Sequence, residues 1–128
     1  MVAIRKWNES EVSMTNPNAK ARVQRKYEAQ YRDPIQVKAG ESVEVEREDD
    51  EYPGWLWCRA GDGRQGWMPL ELLSGQRPIA IAQEDYSAKE LTVQRGDELE
   101  IQRVRHGWAL VRNAQGERGW IPQSHIQK

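Results

Sequence analysis

Residues 54–73 read GWLWCRAGDGRQGWMPLELL, and residues 107–126 read GWALVRNAQGERGWIPQSHI. At a constant offset of 53, seven of these 20 positions are identical: Gly54/Gly107, Trp55/Trp108, Arg59/Arg112, Gly63/Gly116, Gly66/Gly119, Trp67/Trp120 and Pro69/Pro122. Most are Gly, Trp or Pro, whose backbone freedom, ring size or fixed φ other residues replace poorly. Upstream the offset becomes 56, aligning IQVKAGESVEV (35–45) with LTVQRGDELEI (91–101). The first copy therefore carries three extra residues within EREDDEYP, before Gly54. The chain is an internal repeat.

Both copies read as short strands. Val43-Glu44-Val45-Glu46 and Leu99-Glu100-Ile101-Gln102 alternate apolar and polar residues at period two, the mark of a strand with one buried face. Gly40-Glu41 and Gly96-Asp97 precede them as turn signals. Trp55 to Ala60 and Trp108 to Asn113 form the next strands. Gly61-Asp62-Gly63 and Ala114-Gln115-Gly116 then close hairpins onto strands ending at Trp67 and Trp120. The expected organisation is an arm over residues 1–21, a small all-β domain over 22–73, a short linker over 74–78 and a second domain over 79–128. A linker of five residues bearing Pro78 cannot hold two domains far apart.

Composition limits the function classes. The 128 residues carry 19 Lys plus Arg against 20 Asp plus Glu, a formal charge of −1, which argues against a protein devoted to a polyanion. Six Trp and four Tyr, with no Phe, must supply much of the burial in domains this small. The single cysteine, Cys58, allows no internal disulfide, and no Cys/His spacing suggests zinc, so neither metal nor cofactor is expected. Residues 1–20 lack the apolar run of a secretory signal, and no stretch is apolar enough to span a membrane. A cytoplasmic protein is expected.

The order ELxxxxGDxLEI, a loop, GW, VRNxxGxxGWIP and a final apolar residue over 90–126 resembles a Src homology 3 (SH3) domain. Residues 22–73 resemble a more divergent copy, similar to the variant SH3 domains of bacterial proteins. The resemblance implies two consecutive five-stranded, partly open barrels, each with a short 3-10 turn before its last strand. It also implies a non-catalytic module that holds extended, proline-containing protein segments between aromatic ridges. By the same resemblance, Trp108 matches the groove Trp, Trp120 the hairpin-side aromatic, Pro122 the groove Pro, and Glu90 the acid that pairs with a ligand Arg. His125 stands where the last groove Tyr sits. In the first copy Tyr27, Trp55, Trp67 and Pro69 match, while Arg25 and Leu72 replace two groove tyrosines. An ungapped alignment puts Ile81 and Gln83 at the two leading tyrosine positions of the second copy.

Two tryptophan shelves are thus expected, Trp55 and Trp67 with Tyr27 on one domain, and Trp108 and Trp120 with Pro122 on the other. All four indoles should face outward, because Cys58, Val111, Met68 and Ile121 occupy the inward positions beside them. Trp57 lies on the face of Trp55 and is open to a contact between domains. Cys58 reads as a small buried hydrophobe, and Gly61-Asp62-Gly63 as a hairpin turn instead of a phosphate loop. Glu48-Asp49-Asp50-Glu51 reads as a solvated loop tip. Two rival functions remain. The aromatic faces could pack against each other or a partner subunit in an assembly. Alternatively, Lys20, Arg22, Arg25 and Lys26 could serve a nucleic-acid reader.

Overall fold

The computed structural model describes residues 19–127. Twelve strands run through them in chain order: β1 (Ala19–Val23), β2 (Gln36–Val37), β3 (Ser42–Glu48), β4 (Trp55–Ala60), β5 (Gln65–Pro69), β6 (Leu73–Ser74), β7 (Ile79–Ala82), β8 (Tyr86–Ser87), β9 (Glu98–Arg105), β10 (Trp108–Arg112), β11 (Arg118–Pro122) and β12 (Ile126–Gln127). Single 3-10 turns, Leu70–Leu72 and Gln123–His125, stand before β6 and β12. The expected all-β architecture is present: two five-stranded sheets, ordered β5-β4-β3-β7-β6 and β11-β10-β9-β1-β12, plus the small pair β2-β8.

The alternation of the sequence sets which faces are buried. Val43 and Val45 of β3 turn inward, as do Leu99 and Ile101 of β9. Cys58, Met68, Val111 and Ile121 are fully buried, as expected. Burial pushes the Cys58 thiol up to about 12, so it stays protonated and behaves as a small apolar side chain. The repeat also shows in finer detail. Residue 46 in β3 and residue 102 in β9 are each an extra residue at a register shift against the next strand. The arginines that the two copies share, Arg59 and Arg112, form cross-strand ion pairs with Glu44 and Glu100.

The domain boundaries differ from the linear expectation. Among the described residues, one compact unit joins residues 19–29 to residues 90–127, and the other is Gln30–Lys89. We call them the split and the continuous unit. Strand β1 lies between β9 and β12, in the sheet of the second repeat, with Val23 opposite Ile126 and Ala21 opposite Leu99. Strand β7, the first of the second repeat, lies between β3 and β6 of the first, with Leu73 opposite Ala82 and Val43 opposite Ala80.

The exchange is reciprocal down to single hydrogen bonds. The Gln24 amide donates to the His125 carbonyl, and the Gln83 amide donates to that of Leu72. The Gly96 amide donates to Val23, and that of Gly40 to Ala82. Tyr27 bridges Val93, and Tyr86 pairs with Val37.

Residues 74–78 are accordingly no linker between domains. Ser74 ends β6 and pairs with Ile81, so residues 75–78 are the turn of a β6-β7 hairpin inside the continuous unit. Gly75 supplies the positive φ of 97° that this turn uses. The chain passes between units at Ala29–Gln30 and Lys89–Glu90. Of the expected arm, residues 1–18 lie outside the described residues, and residues 19–21 belong to β1.

Two predictions follow from this topology. A chain beginning at residue 30 retains one first strand for two sheets, so one unit must lose its fold. Its amide NMR spectrum should show about half the dispersed resonances of the full chain, whereas a fully dispersed spectrum would contradict the strand assignment. At Gly119 of β11, a Cβ would come within 2.8 Å of the Glu90 carbonyl carbon and the Leu91 nitrogen, both backbone atoms. Gly119→Ala should cost about 1–3 kcal/mol in urea unfolding, and a loss within error of zero would show that this close approach is absent.

Candidate functional site

In the split unit, six of the expected site residues come together. Strand pairing sets Trp108 of β10 opposite Pro122 of β11, and Glu90 bridges Trp120 of the same strand. The exchanged segment then delivers Tyr27. Its ring stands edge-on to the indole of Trp108, with centroids 5.7 Å apart and planes at 84°, and edge-on to the imidazole of His125 at 5.5 Å and 85°. Such T-shaped contacts align a positive ring edge with a negative face. The Tyr27 hydroxyl donates to Oε1 of Glu90 at 2.8 Å.

Glu90 is only 9 % exposed, the one buried charged residue among those described. Its carboxylate holds the Tyr27 ring in place. That is a different task from the surface pairing with a ligand Arg that the resemblance implies. Nδ1 of His125 lies 3.3 and 3.1 Å from the carbonyls of Arg25 and Lys26. Both neighbours are acceptors, so Nδ1 carries a proton and donates to them.

Burial separates the four indoles that were expected to face outward. Trp108 is half-buried, and with the half-buried His125 it forms the accessible part of this cluster. Trp120 is buried at 5 % exposure and Pro122 is buried too, so both back the surface. Trp55 is buried at 4 % although it lies outside the hydrophobic core of its unit. Trp67 is half-buried.

Of the expected shelf, Tyr27 belongs to the split unit, and Trp55 and Trp67 to the continuous one. The continuous unit carries Tyr86 in the corresponding place. Tyr86 is half-buried, and its hydroxyl donates to the Trp67 carbonyl at 2.7 Å.

Tyr86 is the residue that sequence reasoning missed. The ungapped alignment put Ile81 and Gln83 at the tyrosine positions. Instead, Ile81 is exposed on β7 and the Gln83 side-chain amide donates to Oγ of Ser74. The signal was available in the pattern AxxQxxYxA, which occurs at 21–29 and again at 80–88, an offset of 59. A gap between this segment and residue 91 restores the match.

The outer face of β4 and β5 in the continuous unit is occupied by its own side chains. Trp57 stands opposite Trp67 across the strands, with ring centroids 5.0 Å apart, and Tyr31 packs on Trp57 at 5.4 Å. The Arg47 guanidinium lies 5.4 Å from the Trp57 ring and 5.3 Å from the Trp67 ring, within cation-π range of both. Nε1 of Trp57 donates to Gln65.

Trp57, left open between roles by its sequence position, therefore packs within its own unit. The acidic loop does local work as well. Glu48 accepts from the Gly54 amide and Asp49 from that of Glu51, shaping the turn between β3 and β4. Among the described residues, no group of three His, Cys, Asp or Glu side chains is placed to hold a metal ion. No helix of the described residues is long and apolar enough to cross a membrane.

The variant SH3 domain family matches two consecutive stretches, residues 20–76 and 80–128. Each stretch contributes its first strand to the sheet of the other. No curated protein and no solved structure gave a match. The two matches together span most of the chain, which belongs to the variant SH3 domain family and carries two copies of that domain.

Proposed function

We propose that the protein is a non-catalytic interaction module whose split unit binds an extended, proline-containing protein segment across Trp108 and His125. The observation that carries this reading is the edge-on seating of Tyr27 against both rings, with its hydroxyl fixed on buried Glu90. Tyr27 has few ways to move, so the ridge is rigid before a ligand arrives. A rigid aromatic ridge gives contact area with little loss of side-chain entropy on binding. An extended ligand suits it for the same reason, since a polyproline-like chain has little freedom left to lose.

The continuous unit lacks the same opening. Its Trp57 and Trp67 pack on one another under Arg47, and Trp55 is buried. This favours a supporting role for that face and leaves one principal groove per chain. Cytoplasmic residence accords with this reading and belongs to the proposal.

Truncating Trp108 to Ala should weaken a peptide selected from a proline-rich array by about 2 kcal/mol, close to 30-fold in Kd. Tyr27→Ala should weaken the same peptide, because both residues belong to one site. Trp57→Ala should leave that peptide's affinity unchanged. Equal retention of the peptide by wild type and Trp108→Ala in titration calorimetry would contradict the proposal.

A further inference from the structure

Outside the aromatic site, the split unit carries a polar cleft of about 450 Å³ lined by Arg22, Gln24, Arg25, Arg95 and Gln127. Three guanidinium-bearing residues on one cleft are conspicuous in a chain of formal charge −1. Two nearby carboxylates are already engaged, one of them by a cleft arginine. Glu98 pairs with Arg22 at 2.9 Å, and Asp97 accepts from the Gln94 amide at 2.9 Å. Arg22 also donates to the Gly96 carbonyl, which fixes its position at the cleft wall. Arg25 and Arg95 make no ion pair with any carboxylate of the described residues, and both are exposed. Among the described residues, Arg25 and Arg95 thus line one open cleft with no carboxylate paired to either.

We propose that this cleft is a binding site for a phosphoryl group carried on a serine or threonine of a partner protein. A phosphate monoester bears roughly −1.5 to −2 at neutral pH, matching the two unpaired arginines, and its oxygens accept the paired donors of a guanidinium. The cleft is open and mostly polar, with Val23 its one apolar side chain, so it does not enclose a free small molecule, which suits a group presented on a chain. No aromatic side chain lines it, so it lacks the stacking platform that single-stranded nucleic acid would use. The exchange builds the site: Arg22 lies in β1 and Gln24 and Arg25 directly after it, while Arg95 and Gln127 belong to the second repeat.

The test is a titration of the full-length ¹⁵N-labelled protein, followed by amide shifts, with inorganic phosphate, a phosphoserine peptide, its serine counterpart and a thymidine oligonucleotide. The proposal expects saturable shifts at Arg25, Arg95, Gly96 and Gln127 with the phosphopeptide, weaker shifts at the same amides with phosphate, and at least about tenfold weaker binding of the serine peptide. Arg25→Gln combined with Arg95→Gln should abolish the phosphopeptide shifts and leave the remaining spectrum in place. Equal binding of the phosphorylated and unmodified peptides would overturn the proposal. So would phosphopeptide shifts that survive in the double variant, or binding of the oligonucleotide alone.

Discussion

The closure of β6 onto β7 through residues 75–78 is the constraint on which the rest of the structure depends. Once the first strand of the second repeat is held there, the central position in the continuous unit's sheet is filled. The matching position in the other sheet, between β9 and β12, can then be filled only by β1. Loop entropy favours this outcome. A hairpin closed by four residues combined with one chain-long pairing costs roughly 1–2 kcal/mol less than two closures of intermediate length. A short connector thus decides a topology that neither repeat specifies alone.

The exchange also decides where function resides. Tyr27 reaches Trp108, His125 and Glu90 because β1 carries it into the split unit, more than 60 residues away in sequence from each of them. Both candidate sites in that unit combine groups from the two ends of the described chain. The continuous unit received an equivalent tyrosine by the same exchange, yet its outer face is taken up by Trp57, Trp67, Tyr31 and Arg47. Equal scaffolds therefore present different surfaces, and the difference rests on a few side chains. Trp57 stands where the other copy has Leu110, and Leu72 where it has His125.

Much of the fold was legible in the sequence. The Gly, Trp and Pro pairs at an offset of 53 marked the hairpins, and the Val-Glu-Val-Glu alternation marked the buried face of β3. These are local signals, fixed by backbone geometry within a few residues. Strand partnership is not local, because the strands that β1 and β7 pair with lie far from them in sequence or are set by the turn between. In β7 the run Ile-Ala-Ile-Ala is apolar on both faces, so hydropathy could not show that the alanines turn inward and the isoleucines outward. The exposure of the tryptophans was misjudged for a related reason. Alternation placed Trp55 and Trp120 off the core face of their strands, but it carries no information about what else covers that face, and both are buried.

The most direct measurement is cross-strand proton contacts by nuclear Overhauser spectroscopy on the intact chain. Strand exchange requires contacts from Val23 to Ile126 and from Ala82 to Leu73. Contacts from Val23 to Leu73 and from Ala82 to Ile126 would instead show that each repeat keeps its own first strand, and the composite aromatic site would then not exist.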